Sequence, residues 1–409
     1  MKNNWKKDEL GNLIEYCARG VSPSYTEGAG VIVLNQKCIR DNKISLEPSR
    51  ITDSKKKKIS EEKYLKKFDI LVNSTGVGTL GRVAQFKGSN EMMTADSHVT
   101  IVRPDDKKID PFFLGYVMSF KQVEIEKMGV GATGQTELSR NTLKELKIGY
   151  PEKIEDQKKI ADVLSAHDDL IENNNRRIKI LEEMAQLIYK EWFVDFKFPG
   201  HEKVKMVEGE LGLMPEDWEV KKIKDLINIK SGFAFSSAVY NNEDGYGLVT
   251  IKNVQDAEFI TRCTTRISSV PKNMPEHCFL REGDIILSLT GNIGRVCLVY
   301  GDKYLLNQRV AKLVPIKDEY NSFIYFLFRE SEFKNKLEMV SNGVAQQNLS
   351  PIEMGEIKII FPANNYMEMF HENVRYIIET IIVLKNKNNI LRQTRDLLLS
   401  KLMSGEINL

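Results

Sequence analysis

The sequence lacks the features that mark membrane, secreted and metal-binding proteins. Its 409 residues contain no apolar run of about 18 or more residues, the length that a membrane span requires. The opening residues MKNNWKKDEL contain no apolar segment of the kind found in signal peptides. Cysteines are few and show no CxxC spacing, which argues against a zinc site or a disulfide framework; they are Cys17, Cys38, Cys263, Cys278 and Cys297. We therefore expect a cytoplasmic protein with no membrane or metal-binding function.

The sequence also lacks an excess of charge of one sign. It has 59 basic and 57 acidic residues, so its formal net charge is only +2. A protein that binds nucleic acid by charge alone is usually strongly cationic. If this chain binds DNA, its basic residues must be grouped locally, or a partner must supply part of the contact with phosphate. The length predicts two to three globular domains.

What the sequence does contain is a long internal repeat. Shifted by about 211 residues, the second half matches the first at Gln135 and Gln346, and again at Ser139 and Ser350. Further upstream the offset drifts by a few residues, as loop insertions within a shared fold would cause. A period of this length is far longer than that of solenoid repeats, and it indicates a duplicated domain. The duplication predicts a protein that performs one task at two places.

Each half ends in a segment with the heptad spacing of a long helix. Apolar residues alternate at steps of three and four, which predicts coiled-coil packing between helices. The residues predicted to pair the two helices are Ile160, Leu164, Ile171, Ile178, Leu181 and Ile188 in the first, and Val374, Ile377, Ile381, Leu384, Leu391 and Leu398 in the second. Asn174 and Asn388 also occupy heptad positions, where they either fix the register or lie at a solvated edge.

The remaining segments contain short β-type runs among polar loops, with a few helical pieces. We therefore predict an α+β fold, in which two similar mixed α/β domains are each followed by a long helix and the helices pair as an antiparallel coiled coil with pseudo-two-fold symmetry. The predicted boundaries are 1–150 and 201–362 for the domains, and 151–200 and 363–409 for the helical segments with their linker.

Motifs for catalysis do not survive comparison of the two halves. Gly76 to Gly81 fits the GxGxxG pattern of dinucleotide-binding proteins, but the corresponding turn around Gly291 is shorter and does not. His98 corresponds to Arg309, and a catalytic histidine would not be replaced in a second working copy. The sequence predicts a non-catalytic protein whose matched scaffold carries different polar side chains in its two halves.

Several short motifs resemble those of the specificity subunit of type I restriction-modification systems. The order of domain, helix, domain and helix matches along essentially the full length. The matching motifs are SGFAF at 231–235, GDI at 283–285 leading to TGNIGRV, Gly134-Gln135 before Leu-Ser, PEKIEDQKK at 151–159, EWF at 191–193 and LLSKLMSGEI at 398–407. Each motif is short, and the combination in this order is what carries the resemblance.

The resemblance implies that each globular domain is a target recognition domain that reads one half of a split site in double-stranded DNA. It also implies two methyltransferase subunits docked on the helices, and restriction subunits that cleave. S-adenosylmethionine, ATP and Mg would then belong to those partners, for adenine methylation and cleavage, with no cofactor bound by this chain. The alternatives are a two-module coiled-coil adaptor without DNA specificity, and a complex that methylates without cleaving.

The resemblance carries no residue code for bases, so candidates come from side-chain chemistry. Arginine pairs with guanine and glutamine with adenine in the major groove, whereas lysine grips phosphate without specifying sequence. The candidates for DNA binding are Arg82, Gln135, Arg140, Arg295, Arg309, Gln346 and Gln347, with Lys55, Lys56, Lys57 and Lys58 for phosphate. Arg82 and Arg295 are matched between the halves, so both also fit a structural role. The lysine run also fits a solvated loop.

Overall fold

The computed structural model describes residues 5–131, 136–241, 244–341, 348–404 and 406–407. The chain divides into two compact units. Unit 1 consists of Met1–Leu170 and Leu391–Leu409, and unit 2 consists of Ile171–Ile390. The division passes through both long helices, so the predicted domain boundaries remain predictions.

Unit 1 combines short strands with three short helices and parts of both long helices. Its strands are β1 (Trp5–Glu9), β2 (Ile14–Arg19), β3 (Tyr25–Thr26), β4 (Val31–Leu34), β5 (Ile39–Arg40), β6 (Lys43–Ile44), β7 (Arg50–Thr52), β8 (Ile70–Asn73), β9 (Val83–Gln85), β10 (Met93–Ala95), β11 (Val99–Pro104) and β12 (Lys147–Pro151). Its helices are α1 (Pro111–Phe120), α2 (Gln122–Lys127), α3 (Arg140–Lys144) and the long α4 (Ile154–Tyr189), which continues into unit 2.

Unit 2 repeats this composition. Its strands are β13 (Met206–Gly209), β14 (Gly212–Pro215), β15 (Glu219–Lys222), β16 (Ile227–Ser231), β17 (Tyr240–Asn241), β18 (Tyr246–Val249), β19 (Val254–Gln255), β20 (Glu258–Phe259), β21 (Arg266–Ile267), β22 (Phe279–Leu280), β23 (Ile285–Ser288), β24 (Val296–Leu298), β25 (Tyr304–Leu306), β26 (Val310–Pro315) and β27 (Lys358–Phe361). Its helices are α5 (Tyr320–Leu327), α6 (Ser331–Ser341), α7 (Pro351–Gly355) and the long α8 (Asn364–Ser404), whose last residues belong to unit 1.

The two units share a sheet topology. Unit 1 has a four-stranded sheet in the order β2-β11-β8-β9, and unit 2 has the order β16-β26-β23-β24. The pair β1-β12 recurs as β15-β27, and the parallel pair β10-β4 recurs as β25-β18. The predicted mixed fold with an internal repeat is confirmed. The strands β8 and β23 are fully buried, which explains why they read as continuous apolar runs.

Serine caps explain one of the matched positions of the repeat. The Ser139 hydroxyl accepts a hydrogen bond from Thr142 N at the start of α3, at 3.0 Å. Ser350 does the same for Glu353 N at the start of α7, at 3.4 Å. A side-chain oxygen at this position satisfies a backbone N–H that the helix itself cannot pair. The matched serines are therefore helix N-caps in both units.

The two long helices pair antiparallel within each unit. In unit 1, Ile160 and Leu164 of α4 belong to the same buried core as Leu399 and Leu402 of α8. In unit 2, the predicted pairing residues pack together in one buried cluster; these are Ile178, Leu181, Ile377, Ile381 and Leu384. Val374 is buried in the large core of unit 2, and Ile188 packs against that core. Of the remaining predicted pairing residues, Ile171 is buried, and Leu391 and Leu398 are half-buried.

The two heptad asparagines lie in the buried seam of unit 2. Asn174 Nδ2 donates to Asn388 Oδ1 at 2.9 Å, and Asn388 Nδ2 donates to Asn175 Oδ1 at 2.8 Å. Asn174 is 9% exposed and Asn388 is 2% exposed, so they do not lie at a solvated edge. Because a shifted register would bury these amides against apolar side chains, the pair favours one register. Among the described residues, no helix is both long and apolar enough to cross a membrane.

Candidate nucleic-acid interface

Four segments of unit 1 meet at one end of the β2-β11-β8-β9 sheet. We call them loop cluster 1, which comprises residues 19–21, 74–82, 96–98 and 137–140. Isolated β-bridges join Val21 to Asp96 and Thr75 to Glu137. An ion pair of 2.5 Å between Arg19 and Glu137 closes the same end. These contacts hold the four loops together at one edge of the sheet.

Unit 2 builds the same arrangement. We call it loop cluster 2, which comprises residues 231–233, 289–295, 307–309 and 348–350. Its β-bridges join Phe233 to Asn307 and Thr290 to Asn348. They occupy the same places as the two bridges of loop cluster 1. The scaffold of each cluster is therefore a property of the repeat, and the differences lie in the side chains that it carries.

A glycine in each cluster is required by close backbone packing. A Cβ on Gly20 would lie 1.9 Å from Ala95 O, and a Cβ on Gly232 would lie 2.3 Å from Asn307 O. Carbon and carbonyl oxygen cannot approach so closely, and neither oxygen is on a side chain that can move aside. The Gly of the SGFAF motif thus has a packing reason that recurs in unit 1.

The matched arginines are engaged by their own units. Arg82 Nη2 donates to Gly78 O at 2.8 Å, which closes the glycine-rich turn between β8 and β9. Arg295, after the shorter turn of unit 2, donates to the side chain of Gln255. Both side chains are half-buried. These contacts favour a structural role for Arg82 and Arg295 over base reading.

The unmatched arginines are exposed. Arg140 is the first residue of α3, and Arg309 lies in the turn between β25 and β26. Neither side chain forms an ion pair or hydrogen bond with any residue that the structure describes. Gln135, Gln346 and Gln347 lie outside the described residues. Arg140 and Arg309 are thus the candidates with free donors at loop clusters 1 and 2.

The lysine run follows β7 in unit 1. Asp53 Oδ1 accepts hydrogen bonds from Lys55 N at 2.9 Å and from Lys56 N at 3.2 Å, which shapes the chain into a turn. The four lysines at 55–58 are exposed. In the described part of the chain their ammonium groups form no ion pair. The lysine run therefore forms a local concentration of positive charge on the surface of unit 1.

Sequence reasoning missed an aromatic and basic pair beside the lysine run. The guanidinium of Arg50 lies 3.5 Å from the centroid of the Tyr25 ring. Tyr25 pairs with Thr52 across β3 and β7, which places both side chains on the strands that lead into the lysine turn. Neither residue stands out in the sequence, because the contact depends on the pairing of two very short strands.

The described residues offer little to catalysis or metal binding. No group of three histidine, cysteine or acidic side chains among them could hold a metal ion. Burial raises the pKa of Cys263 to about 11 and also raises the pKa of Cys17, which disfavours the thiolate needed for nucleophilic attack. What the two clusters present is polar side chains, among them the exposed guanidinium groups of Arg140 and Arg309.

Comparison with known proteins decides the family. The family model described as the type I restriction modification DNA specificity domain matches residues 2–183 and again residues 215–399. The chain belongs to this family. Membership in the specificity family confirms the resemblance seen in the motifs, and it assigns the chain a role in DNA recognition instead of catalysis.

Curated relatives agree along the whole length. The chain is 24% identical to the putative type I restriction enzyme MjaX specificity subunit of Methanocaldococcus jannaschii, over 99% of this chain and 94% of the relative. It is also 24% identical to the type I restriction enzyme HindI specificity subunit of Haemophilus influenzae, over 99% of this chain and 100% of the relative.

A solved structure supports the fold. The crystal structure of the type I restriction-modification S subunit from M. genitalium superposes with a TM-score of 0.61 at 20% identity, and the match covers 98% of this chain and 97% of that one. At this identity the likeness speaks for the fold. The specificity family, its two matched segments and the duplicated clusters together describe a subunit with two DNA-recognition modules.

Proposed function

We propose that this specificity subunit reads a bipartite DNA target, with domain 1–150 reading one half-site and domain 201–362 reading the other. The observation that carries the proposal is the pair of loop clusters, in which one backbone arrangement presents different exposed side chains. Two readers with the same scaffold and different donors suit two different sequences on one duplex.

Side-chain chemistry indicates which residues of each recognition domain contact bases and which contact phosphates. Our candidates for base edges are Arg140, Arg309, Gln135, Gln346 and Gln347. Arg82 and Arg295 rank behind them because each already donates a hydrogen bond within its own unit. The lysines at 55–58 are our candidates for phosphate. If all four lysines contact phosphates, this run alone contributes about −3.6 to the slope of the logarithm of affinity against the logarithm of salt concentration.

The long helices are our candidates for the docking surface of two methyltransferase subunits. On α8, exposed apolar residues recur every seven positions at Tyr376, Val383 and Ile390, away from the seam buried against α4. On α4, Ile180 and Leu187 repeat this spacing. Apolar side chains at heptad spacing are covered best by further helices. We therefore expect the methyltransferase subunits to contribute helices to this surface.

The chemistry of the complex belongs to the partners. We propose that the methyltransferase subunits use S-adenosylmethionine to methylate adenine, and that restriction subunits use ATP and Mg to cleave. This chain directs both activities by choosing the site. A two-module adaptor without DNA specificity is the alternative, and it predicts no dependence of methylation on the sequence of this chain.

The test is single-molecule sequencing for N6-methyladenine in cells that carry this gene and its neighbouring methyltransferase gene. The control is the same strain with this gene alone deleted. We expect a split motif that is methylated in both halves and is lost on deletion. A contiguous motif, or methylation that persists after the deletion, would favour the adaptor.

A further inference from the structure

One turn of loop cluster 1 is held by a set of backbone hydrogen bonds. It links β10 to β11 and contains Asp96 and His98. Asp96 N donates to Leu34 O at 2.9 Å, and His98 N donates to Asp96 Oδ1 at 2.9 Å. The carbonyl of His98 accepts from Ser74 N at 2.8 Å. Three bonds therefore fix the backbone on both sides of the His98 side chain.

The corresponding turn of loop cluster 2 has the same bonds. Asn307 N donates to Val249 O at 3.0 Å, and Arg309 N donates to Asn307 Oδ1 at 3.3 Å. The carbonyl of Arg309 accepts from Leu289 N at 3.0 Å. The backbone at Arg309 is thus held like that at His98, although all three residues of the turn, 96–98 in unit 1 and 307–309 in unit 2, differ between the units. Because the carboxylate of Asp96 and the amide of Asn307 both supply an accepting oxygen, the turn tolerates either.

The side chains of His98 and Arg309, which share this backbone arrangement, differ in their hydrogen-bond partners. His98 is exposed, and its Nδ1 shares a hydrogen bond of 2.7 Å with the Thr75 hydroxyl, so Nε2 is the ring nitrogen that remains for a ligand. In unit 2 the matching hydroxyl of Thr290 is buried and has no hydrogen-bond partner among the described residues. Arg309 is exposed, and its guanidinium has no partner in the described part of the chain. The arginine therefore offers all its donors to a ligand from a fixed backbone.

We propose that residues 98 and 309 are equivalent base-reading positions, and that Arg309 reads a guanine in the half-site of domain 201–362. This inference rests on the proposed function, since it requires the two clusters to face DNA. The guanidinium carries parallel N–H donors that match O6 and N7 of guanine in the major groove. A rigid backbone with an interchangeable side chain is what a repeat needs to read two sequences.

The histidine at the equivalent position of unit 1 has fewer hydrogen-bonding groups available to a base. With Nδ1 engaged by Thr75, His98 makes a single contact through Nε2, so it discriminates between bases less strongly than a bidentate arginine. We expect domain 1–150 to tolerate more than one base at the position that His98 contacts.

The experiment measures initial methylation rates of the complex formed by this chain with its methyltransferase subunits. The substrates are duplexes that carry the target found by sequencing, and duplexes with every single base change in either half-site. The variants are Arg309→Ala and Arg309→Lys, and the matched control is Arg281→Ala, since Arg281 is an exposed arginine of unit 2 that pairs with Glu276 outside the cluster.

We expect Arg309→Ala to lose roughly 5- to 150-fold of discrimination at one G·C pair in one half-site, with the other half-site unchanged. Arg309→Lys should lose much of it too, because an ammonium cannot make the bidentate contact. If Arg309→Ala slows methylation equally on all duplexes and Arg309→Lys restores the rate, Arg309 contacts phosphate, and the inference is overturned. Unchanged discrimination would overturn it as well. Absence of a split target in the unaltered complex would instead refute the proposed function.

Discussion

The clearest physical prediction concerns one aspartate that occurs in both units with different partners. Asp69 precedes β8, and its carboxylate accepts two hydrogen bonds from Arg103, at 2.8 and 2.7 Å. The side chains of Asp69 and Arg103 are 0% and 7% exposed. Asp284 precedes β23 and meets Lys312 through one contact of 2.7 Å, with both side chains 15% exposed.

Replacing each aspartate by asparagine tests the contribution of its ion pair to stability. Asp69 also accepts from Lys66 N at 2.8 Å, and Asp284 accepts from Arg281 N at 2.7 Å. The amide oxygen of asparagine can keep this local bond, so each substitution mainly removes the negative charge that faces the cation.

The expected costs follow from burial and geometry. Asp69→Asn leaves a buried guanidinium without its counter-charge, which costs about 3–5 kcal/mol. Asp284→Asn leaves a flexible ammonium that reaches water more readily, so we expect about 1–2 kcal/mol, between the costs of buried and surface pairs. Lys312 lies on β26 and Arg103 on β11, so each substitution loosens the sheet of its own unit.

Hydrogen exchange followed by mass spectrometry measures each unit separately. We expect peptides of β8 and β11 in Asp69→Asn to exchange at least about 150-fold faster, and peptides of β23 and β26 in Asp284→Asn about 5- to 30-fold faster. Glu152→Gln is the control, since Glu152 pairs with Lys6 on the surface of unit 1. Equal acceleration in the two variants, or an effect of the control as large as that of Asp69→Asn, would refute the reasoning from burial.

Two further predictions concern the helix pair and the dependence on pH. Asn388→Leu should destabilise unit 2 by about 1–3 kcal/mol because it leaves the buried amide of Asn174 unpaired. Adding Asn174→Leu should recover most of this loss. A double-mutant cycle, measured by hydrogen exchange of α4, that shows no coupling between the two positions would contradict the register role. The ammonium groups of Lys222 and Lys224 lower the pKa of Glu356 from 4.5 to about 2, so the stability that this carboxylate contributes is present above about pH 4.5 and is lost as the pH falls toward 2. Thermal unfolding of Glu356→Gln should therefore differ from that of the unaltered chain at pH 6 and converge with it near pH 2, and a constant difference over this range would show that the ion pairs contribute nothing.

The fold was largely predictable because its signals are periodic or duplicated. The repeat implies two similar domains whatever their internal structure, and heptads such as that of Ile178 imply a helix with a buried seam. Ser139 and Ser350 match because each caps a helix. Gly20 and Gly232 occupy the same place in the two units, and the need for glycine at both appears only when a carbonyl oxygen is found against them.

The candidate site was less predictable because side-chain partners come from distant parts of the chain. The repeat marks Arg82 as matched and Arg309 as unmatched, but it does not show that the first closes its own turn and the second is exposed. The contact between Tyr25 and Arg50 has no signature in the sequence, since it depends on the pairing of β3 with β7.

The sequence by itself determined the duplication, the two long helices and the type I specificity family, because these rest on patterns that extend over tens of residues and survive local variation. Only the tertiary structure decided which polar side chains are available to a ligand. That property depends on whether a hydrogen-bond partner far away in sequence is brought within about 3 Å, and in the two loop clusters this distinguishes the engaged Arg82 and Arg295 from the exposed Arg309.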